Sequence, residues 1–138
     1  FDALEPFLDW EGKGVYLLAV TSNSGSVDFQ RRDCEGKKLF ERVGELCERA
    51  QSEGRKTTAG LVVGLTNADG DVLENLPDVP LLVPGLGAQG GSLDSLAGSG
   101  RNAASVINVS RGITYAEDHN DYAGLARPWA DAITTRPP

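Results

Sequence analysis

The sequence predicts an α/β fold built on a parallel sheet, and three observations carry that prediction. Four short runs, Val15–Val20, Ala59–Leu65, Pro80–Val83 and Ser105–Val109, are apolar almost throughout instead of alternating, the pattern of strands buried on both faces. Segments of helical character alternate with them along the chain, as in repeated β/α units. The last two runs end in glycine-containing loops, PGLGAQGG at 84–91 and SRG at 110–112. Glycine at a strand end lets the backbone approach a ligand closely, because no Cβ intervenes.

Taken in order, residues 2–10 predict a short amphipathic helix, with Leu4, Phe7 and Leu8 at i, i+3, i+4 spacing. Glu11–Gly14 is a turn, and Val15–Val20 the first strand, stopping at the small polar loop Thr21–Ser26. Lys38–Glu53 is the clearest helix, with Leu39, Phe40, Val43, Leu46, Cys47 and Ala50 on one stripe. Ala59–Leu65 is the second strand, and Asn67–Leu76 a turn followed by a short helix. Pro80–Val83 is the third strand, Ser92–Ala97 a short helix and Ser105–Val109 the fourth strand. Asp121–Thr134 is the closing helix, with Asp121 as its N-cap and Pro128 expected to kink or interrupt it.

Composition sets the bounds. A length of 138 residues with 40% hydrophobic content suits one domain. No apolar run approaches the roughly 18 residues of a membrane span, and the start of the chain has no signal-peptide pattern. Cys34 and Cys47 have no companions at metal-ligand spacing, so two reduced thiols in a cytoplasmic protein are expected. A net charge of −7 argues against a nucleic-acid surface. There is no Met, so Phe1 is not an initiator, and the chain reads as a piece of a longer protein.

The two glycine loops suggest a phosphate cradle. A helix beginning after such a loop directs N–H groups at an anion, and Arg111 adds a planar, permanently charged fork. A rival reading exists, since residues 85–90 match G-x-G-x-x-G and Arg111 lies near the distance at which an NADP site holds a 2′-phosphate. The following segment, 92–100, contains two glycines and is poor material for a crossover helix. Other motifs fail on their chemistry. Residues 67–78 begin like a calcium loop but have Val72 and Asp78 where Gly and Glu are needed. His119, the sole histidine, has no second member for a triad, and the sequon at Asn108 falls on an inner strand.

Four β/α units amount to half of a (β/α)₈ barrel, a fold whose ligand groups stand at the C-terminal strand ends and whose phosphate site often follows strands 7 and 8. The motifs DALEPFL, TSNSGSVDFQ, GLVVG, LLVPGLGAQGG and NVSRGI, together spanning nearly the whole chain, resemble the C-terminal half of orotidine 5′-monophosphate decarboxylases of the long bacterial type. The resemblance implies the last four β/α units of a TIM barrel, a homodimer in the whole enzyme, and cofactor- and metal-free conversion of orotidine 5′-monophosphate to uridine 5′-monophosphate. It also implies roles. Ser22 takes the place of the serine that hydrogen-bonds the pyrimidine, Pro84 starts the loop that covers the base, and Gln89 bridges phosphate and base. Arg111 takes the place of the arginine that grips the phosphate, assisted by amides near Ser110 and Arg111.

The sequence departs from the family at the chemical step. Decarboxylation there depends on a Lys-Asp network centred on D-x-K-x-x-D, and none of Lys13, Lys37, Lys38 and Lys56 has Asp two positions before it. No catalytic residue of that network is expected in this chain. The alternatives are a non-catalytic phosphate-binding half-barrel or a related sugar-phosphate barrel such as a hexulose-phosphate synthase, with the NADP site third. A half-barrel should also expose two sheet edges and one apolar face, with Val15, Leu17, Val62, Leu82 and Ile107 from runs apolar on both sides. Such a chain is expected to pack on an N-terminal half, Ser22, Pro84, Gln89 and Arg111 meeting in one pocket, and, expressed alone, to be insoluble, molten or self-associated and not to decarboxylate the substrate.

Overall fold

The computed structural model describes residues 1–65, 70–85, 93–116 and 120–134. Its centre is a four-stranded parallel sheet of β1 (Gly14–Val20), β4 (Thr58–Val63), β5 (Leu81–Pro84) and β6 (Ser105–Asn108), adjacent in that order. Order in space repeats order in sequence, without the reversal that creates a dinucleotide crevice in doubly wound sheets. The parallel sheet and the run of β/α units are those of a partial barrel.

Helices connect the strands. Helix α1 (Glu5–Leu8) precedes β1, and α2 (Leu39–Ser52) joins β1 to β4 and packs across both. Helix α3 (Gly70–Glu74) lies between β4 and β5, and α4 (Leu93–Ala97) between β5 and β6. After β6 come α5 (Arg111–Thr114) and α6 (Tyr122–Thr134). Helix α2 starts where the Glu41 carboxylate accepts the Lys38 N–H at 3.0 Å, covering a donor left over at the helix start. Phe40, Cys47 and Ala50 from its predicted stripe are buried, whereas Leu39 stays partly exposed at the edge of that stripe. They meet Leu61, Val63, Leu81 and Val83 from the sheet and Val72, Leu73 and Leu76 from α3 and its exit. Each Phe, Leu or Val among them contributes roughly 1.5–3 kcal/mol when taken fully from water.

Several expectations are corrected. The helix predicted over 2–10 contracts to α1, with Pro6 in its first turn; Leu8 is buried but Phe7 faces water. The polar loop after β1 contains a 3₁₀ turn, Ser24–Asp28, and continues into a hairpin of β2 (Asp33–Cys34) and β3 (Lys37–Lys38). Glu35 and Gly36 both have positive φ at its tip, 56° and 81°, the turn that matches strand twist. Helix α6 runs through Pro128 without interruption, and Gly124 N–H donates to Asp121 Oδ1 at 2.8 Å, so Asp121 is its N-cap. The short helix α5 was not anticipated.

The strands are not buried on both faces. Register aligns Leu17, Leu61, Leu81 and Ser105 in one row and Leu18, Val62, Leu82 and Val106 in the next. The first row faces the helices, where Leu61 and Leu81 are 0% exposed. In the second, Leu18 is 55% and Val106 52% exposed. Of the residues expected to lie open, Val15, Leu17 and Ile107 instead pack against the core, because they share the helix-facing parity. Tyr16, Leu18 and Val106 are the exposed members of the open face.

Two polar devices tie the N-terminal ends of the strands. Buried Thr57 joins α1 to β4: its Oγ1 accepts from Trp10 N and donates to Trp10 O, both at 3.0 Å, and its N–H donates to Leu8 O. The Arg101 side chain, 6% exposed, donates to the carbonyls of Leu73, Leu76, Pro77 and Val79. Asp78 beside it accepts the N–H groups of Asn102 and Ala103, each at 3.0 Å. One guanidinium thus satisfies carbonyls that the end of α3 and the approach to β5 leave without partners.

Candidate functional site

All four strands are parallel, so their C-terminal ends form a single edge, marked by Val20, Val63, Pro84 and Asn108. A cavity of about 260 Å³ opens there, lined by Leu18, Val20, Thr21, Ser22, Asn23, Val62, Pro84 and Gly85. Its floor is the open apolar face and its rim is the turn after β1. An apolar floor with a few polar groups at the rim is the usual make-up of a small-molecule site.

Local sequence explains how Ser22 reaches that rim. Leu18 pairs with Val62, but Val20 pairs with Val63, so Ala19 is an extra residue in β1. Such a bulge bends a strand and redirects the residues beyond it. Gly64 N–H donates to Val20 O at 2.8 Å, bringing the end of β4 directly against Ser22. A Cβ added at Gly64 would lie 2.6 Å from the Ser22 N atom, so the approach requires glycine. On the other flank, Gln30 Oε1 accepts both Thr21 N–H and Thr21 Oγ1–H, each at 2.9 Å.

Ser110 and Arg111 stand at the same edge after β6 but do not line this cavity. Ser110 precedes α5 as its N-cap residue, and its Oγ donates to Asn108 Oδ1 at 3.3 Å. Its carbonyl accepts the N–H groups of Ile113 and Thr114. Arg111 opens α5 and is exposed. Gly112 meets α6: an added Cβ would stand 3.0 Å from the Trp129 ring, so the indole backs the turn that carries Arg111. The structure therefore brings Ser22 and Pro84 into one cavity and sets Ser110 and Arg111 on the same edge. Gln89 lies outside the described residues. Thr21 and Asn23, which line the cavity, and Gln30, which holds Thr21, carry no individual signal in the sequence beyond their place in the motif TSNSGSVDFQ.

Elsewhere, a cleft of about 270 Å³ between α4, β6 and Ile133 has a largely apolar lining with Arg101 at one end. Among the described residues, no group of three or more His, Cys, Asp or Glu is placed to hold a metal ion. No helix among them is long and apolar enough to cross a membrane. Both cysteines are free thiols. Burial pushes the Cys47 thiol up to about 12, which leaves it protonated and unreactive at neutral pH.

Comparison with known proteins agrees with this architecture. Residues 2–125 match the family described as Orotidine 5'-phosphate decarboxylase / HUMPS family. A curated orotidine 5'-phosphate decarboxylase from Porphyromonas gingivalis is 44% identical over 137 residues, covering 96% of this chain and 49% of the relative. One from Azoarcus is 43% identical over 140 residues, covering 98% and 50%. Among solved structures, UMP synthase of Leishmania donovani superposes with a TM-score of 0.77 at 35% identity, covering 98% of this chain and 31% of that one. OMP decarboxylase of the same organism gives 0.71 at 34% identity, covering 96% and 52%. The chain spans about half the length of the curated relatives it matches. With the partial barrel and the matched sequence in agreement, this chain belongs to the orotidine 5'-phosphate decarboxylase / HUMPS family.

Proposed function

We propose that this chain is the C-terminal, substrate-gripping half of an orotidine 5′-phosphate decarboxylase, a lyase that converts orotidine 5′-monophosphate to uridine 5′-monophosphate in pyrimidine synthesis. The observation that carries the reading is the cavity shared by Ser22 and Pro84 at the C-terminal strand edge, with Ser110 and Arg111 on that same edge. Neutral donors at the rim suit the pyrimidine, and a permanent cation beside a helix start suits the dianionic phosphate. Gln89 would reach between them from the loop that Pro84 begins. No cofactor or metal is needed for this division of labour. Phosphate binding far from the reacting carbon supplies binding energy that loop closure can use at the base.

The D-x-K-x-x-D network is absent from the sequence, so the proton donor and the carboxylate that presses on the substrate belong to an N-terminal half. That half would pack on the row Leu18, Val62, Leu82 and Val106 and close the barrel. A cytoplasmic homodimer is the assembly this reading implies. In the full-length protein, Arg111→Ala should raise KM for orotidine 5′-monophosphate about 10- to 100-fold, the loss of one or two charge-assisted hydrogen bonds. An unchanged KM in steady-state decarboxylation assays would remove Arg111 from the site. A D-x-K-x-x-D upstream of Phe1 would separate the enzyme from a non-catalytic phosphate-binding half-barrel.

A further inference from the structure

We propose that Gln30 and Gly64 are positioning residues that hold Ser22 at the base-binding rim, an inference resting on the function proposed above. Neither touches the cavity, whose lining stops at Thr21, Ser22 and Asn23 on this side. Ser22 lies beyond the bulge at Ala19, outside the sheet ladder, so strand pairing does not fix it. Gly64 fixes it from below by the contact in which an added Cβ would reach the Ser22 main chain at 2.6 Å.

Gln30 fixes the turn from the side. One amide oxygen accepts two donors of Thr21, the residue next to Ser22. This uses both lone pairs and sets the orientation of the amide. Gln30 is itself anchored, since its carbonyl accepts the N–H of Phe40 at 3.0 Å, and Phe40 is a core residue 2% exposed. A continuous path therefore runs from the core at the start of α2, through Gln30 and Thr21, to Ser22. The role of Gln30 is that of an acceptor alone. Glu can perform it, whereas Met, of similar length, cannot.

A positioning role for the base differs from a general structural role in what it spares. Displacing a hydrogen-bonding group by about 1 Å can cost up to roughly 10²-fold in rate, yet the phosphate grip after β6 should not register it. The test uses the full-length protein, with steady-state decarboxylation, calorimetric binding of uridine 5′-monophosphate, and inhibition by ribose 5-phosphate, which has no base. Gln30→Met and Gly64→Ala should each lower kcat/KM and weaken uridine 5′-monophosphate at least about 10-fold, with the ribose 5-phosphate inhibition constant unchanged. Gln30→Glu should recover most of the loss. Should Gln30→Met not fold, Thr21→Val removes one of the two donors with the main chain intact and should show the same split to a smaller degree. Unaltered nucleotide affinity in Gln30→Met, or equal weakening of nucleotide and ribose 5-phosphate, would overturn the positioning role while leaving the proposed function standing. An unsubstituted protein that neither binds uridine 5′-monophosphate nor decarboxylates its precursor would overturn that function, and this inference with it.

Discussion

The two faces of the sheet are made of the same kinds of residue and meet opposite fates. Facing the helices, Leu61, Leu81 and Val83 are fully enclosed by α2, α3 and their exits. One residue along each strand, Leu18 and Val106 stand more than half exposed, with Val62 and Leu82 partly covered between them. Hydrophobicity is therefore matched to a completed core on one side and left open to water on the other. The open face also forms the floor of the candidate site, through Leu18 and Val62.

Three experiments on the full-length protein break or sharpen this contrast. Leu61→Ala, on the enclosed face, should have the largest effect, a loss of about 3–4 kcal/mol in urea denaturation through a cavity that cannot collapse. Leu18→Ala is its partner measurement. A cost of about 2 kcal/mol or more would show the open face dry in the whole protein, and a cost near zero would show it wet. Next, Arg101→Met should cost about 2–3 kcal/mol, because four carbonyls lose a donor that the thioether cannot replace. An unchanged midpoint would show that water substitutes fully for the guanidinium.

The smallest effect is on acid stability. Hydrogen bonds from Lys37 and then Arg42 hold the Glu45 carboxyl below its ordinary range, and Arg49 and then Arg55 do so for Glu53. The amides of Ala103 and Asn102 lower that of Asp78. Groups whose folded pKa is depressed contribute stability that is complete above the unfolded value and is lost as pH falls through the folded one. Thermal midpoints should thus be level from neutral pH down to about 5 and decline below about 4. Asp78→Asn should shallow that decline without abolishing it; an identical acid limb would exclude Asp78 as a contributor.

Much of the architecture was legible because β/α alternation is written in runs of apolar residues. All four strands of the parallel sheet and helix α2 lie where those runs stand. Which face of each strand is covered was not legible, since Leu17 and Leu18 have the same side chain and differ only in parity. The β2–β3 hairpin was hidden by its polar two-residue strands and by Glu35 at a position where Gly or Asn is usual. Helix α5 was hidden because it is only four residues long and its Gly112, Ile113 and Thr114 follow Arg111 with low helix propensity. At the site, Arg111 stood out from its place after a glycine-ended strand, whereas the roles of Ser22 and Pro84 came from motif resemblance; none came from periodicity. Gln30 matters through a loop conformation that brings it back to Thr21, and no local pattern encodes that return. Gly64 read as one more residue of a strand.

The agreement between strand order and chain order bears on how the molecule is made. Each strand after the first finds its partner already formed, since β4 joins β1, β5 joins β4 and β6 joins β5. No segment must be inserted between strands that have already paired, and no connection must thread through another. The sheet can grow vectorially, one unit at a time, as chain emerges during synthesis. Growth of this kind keeps partners near in sequence and limits the loop entropy lost at each step. Because β1 and β6 are the outer strands, further units could be added at either side by the same accretion, leaving every pairing inside the existing sheet undisturbed.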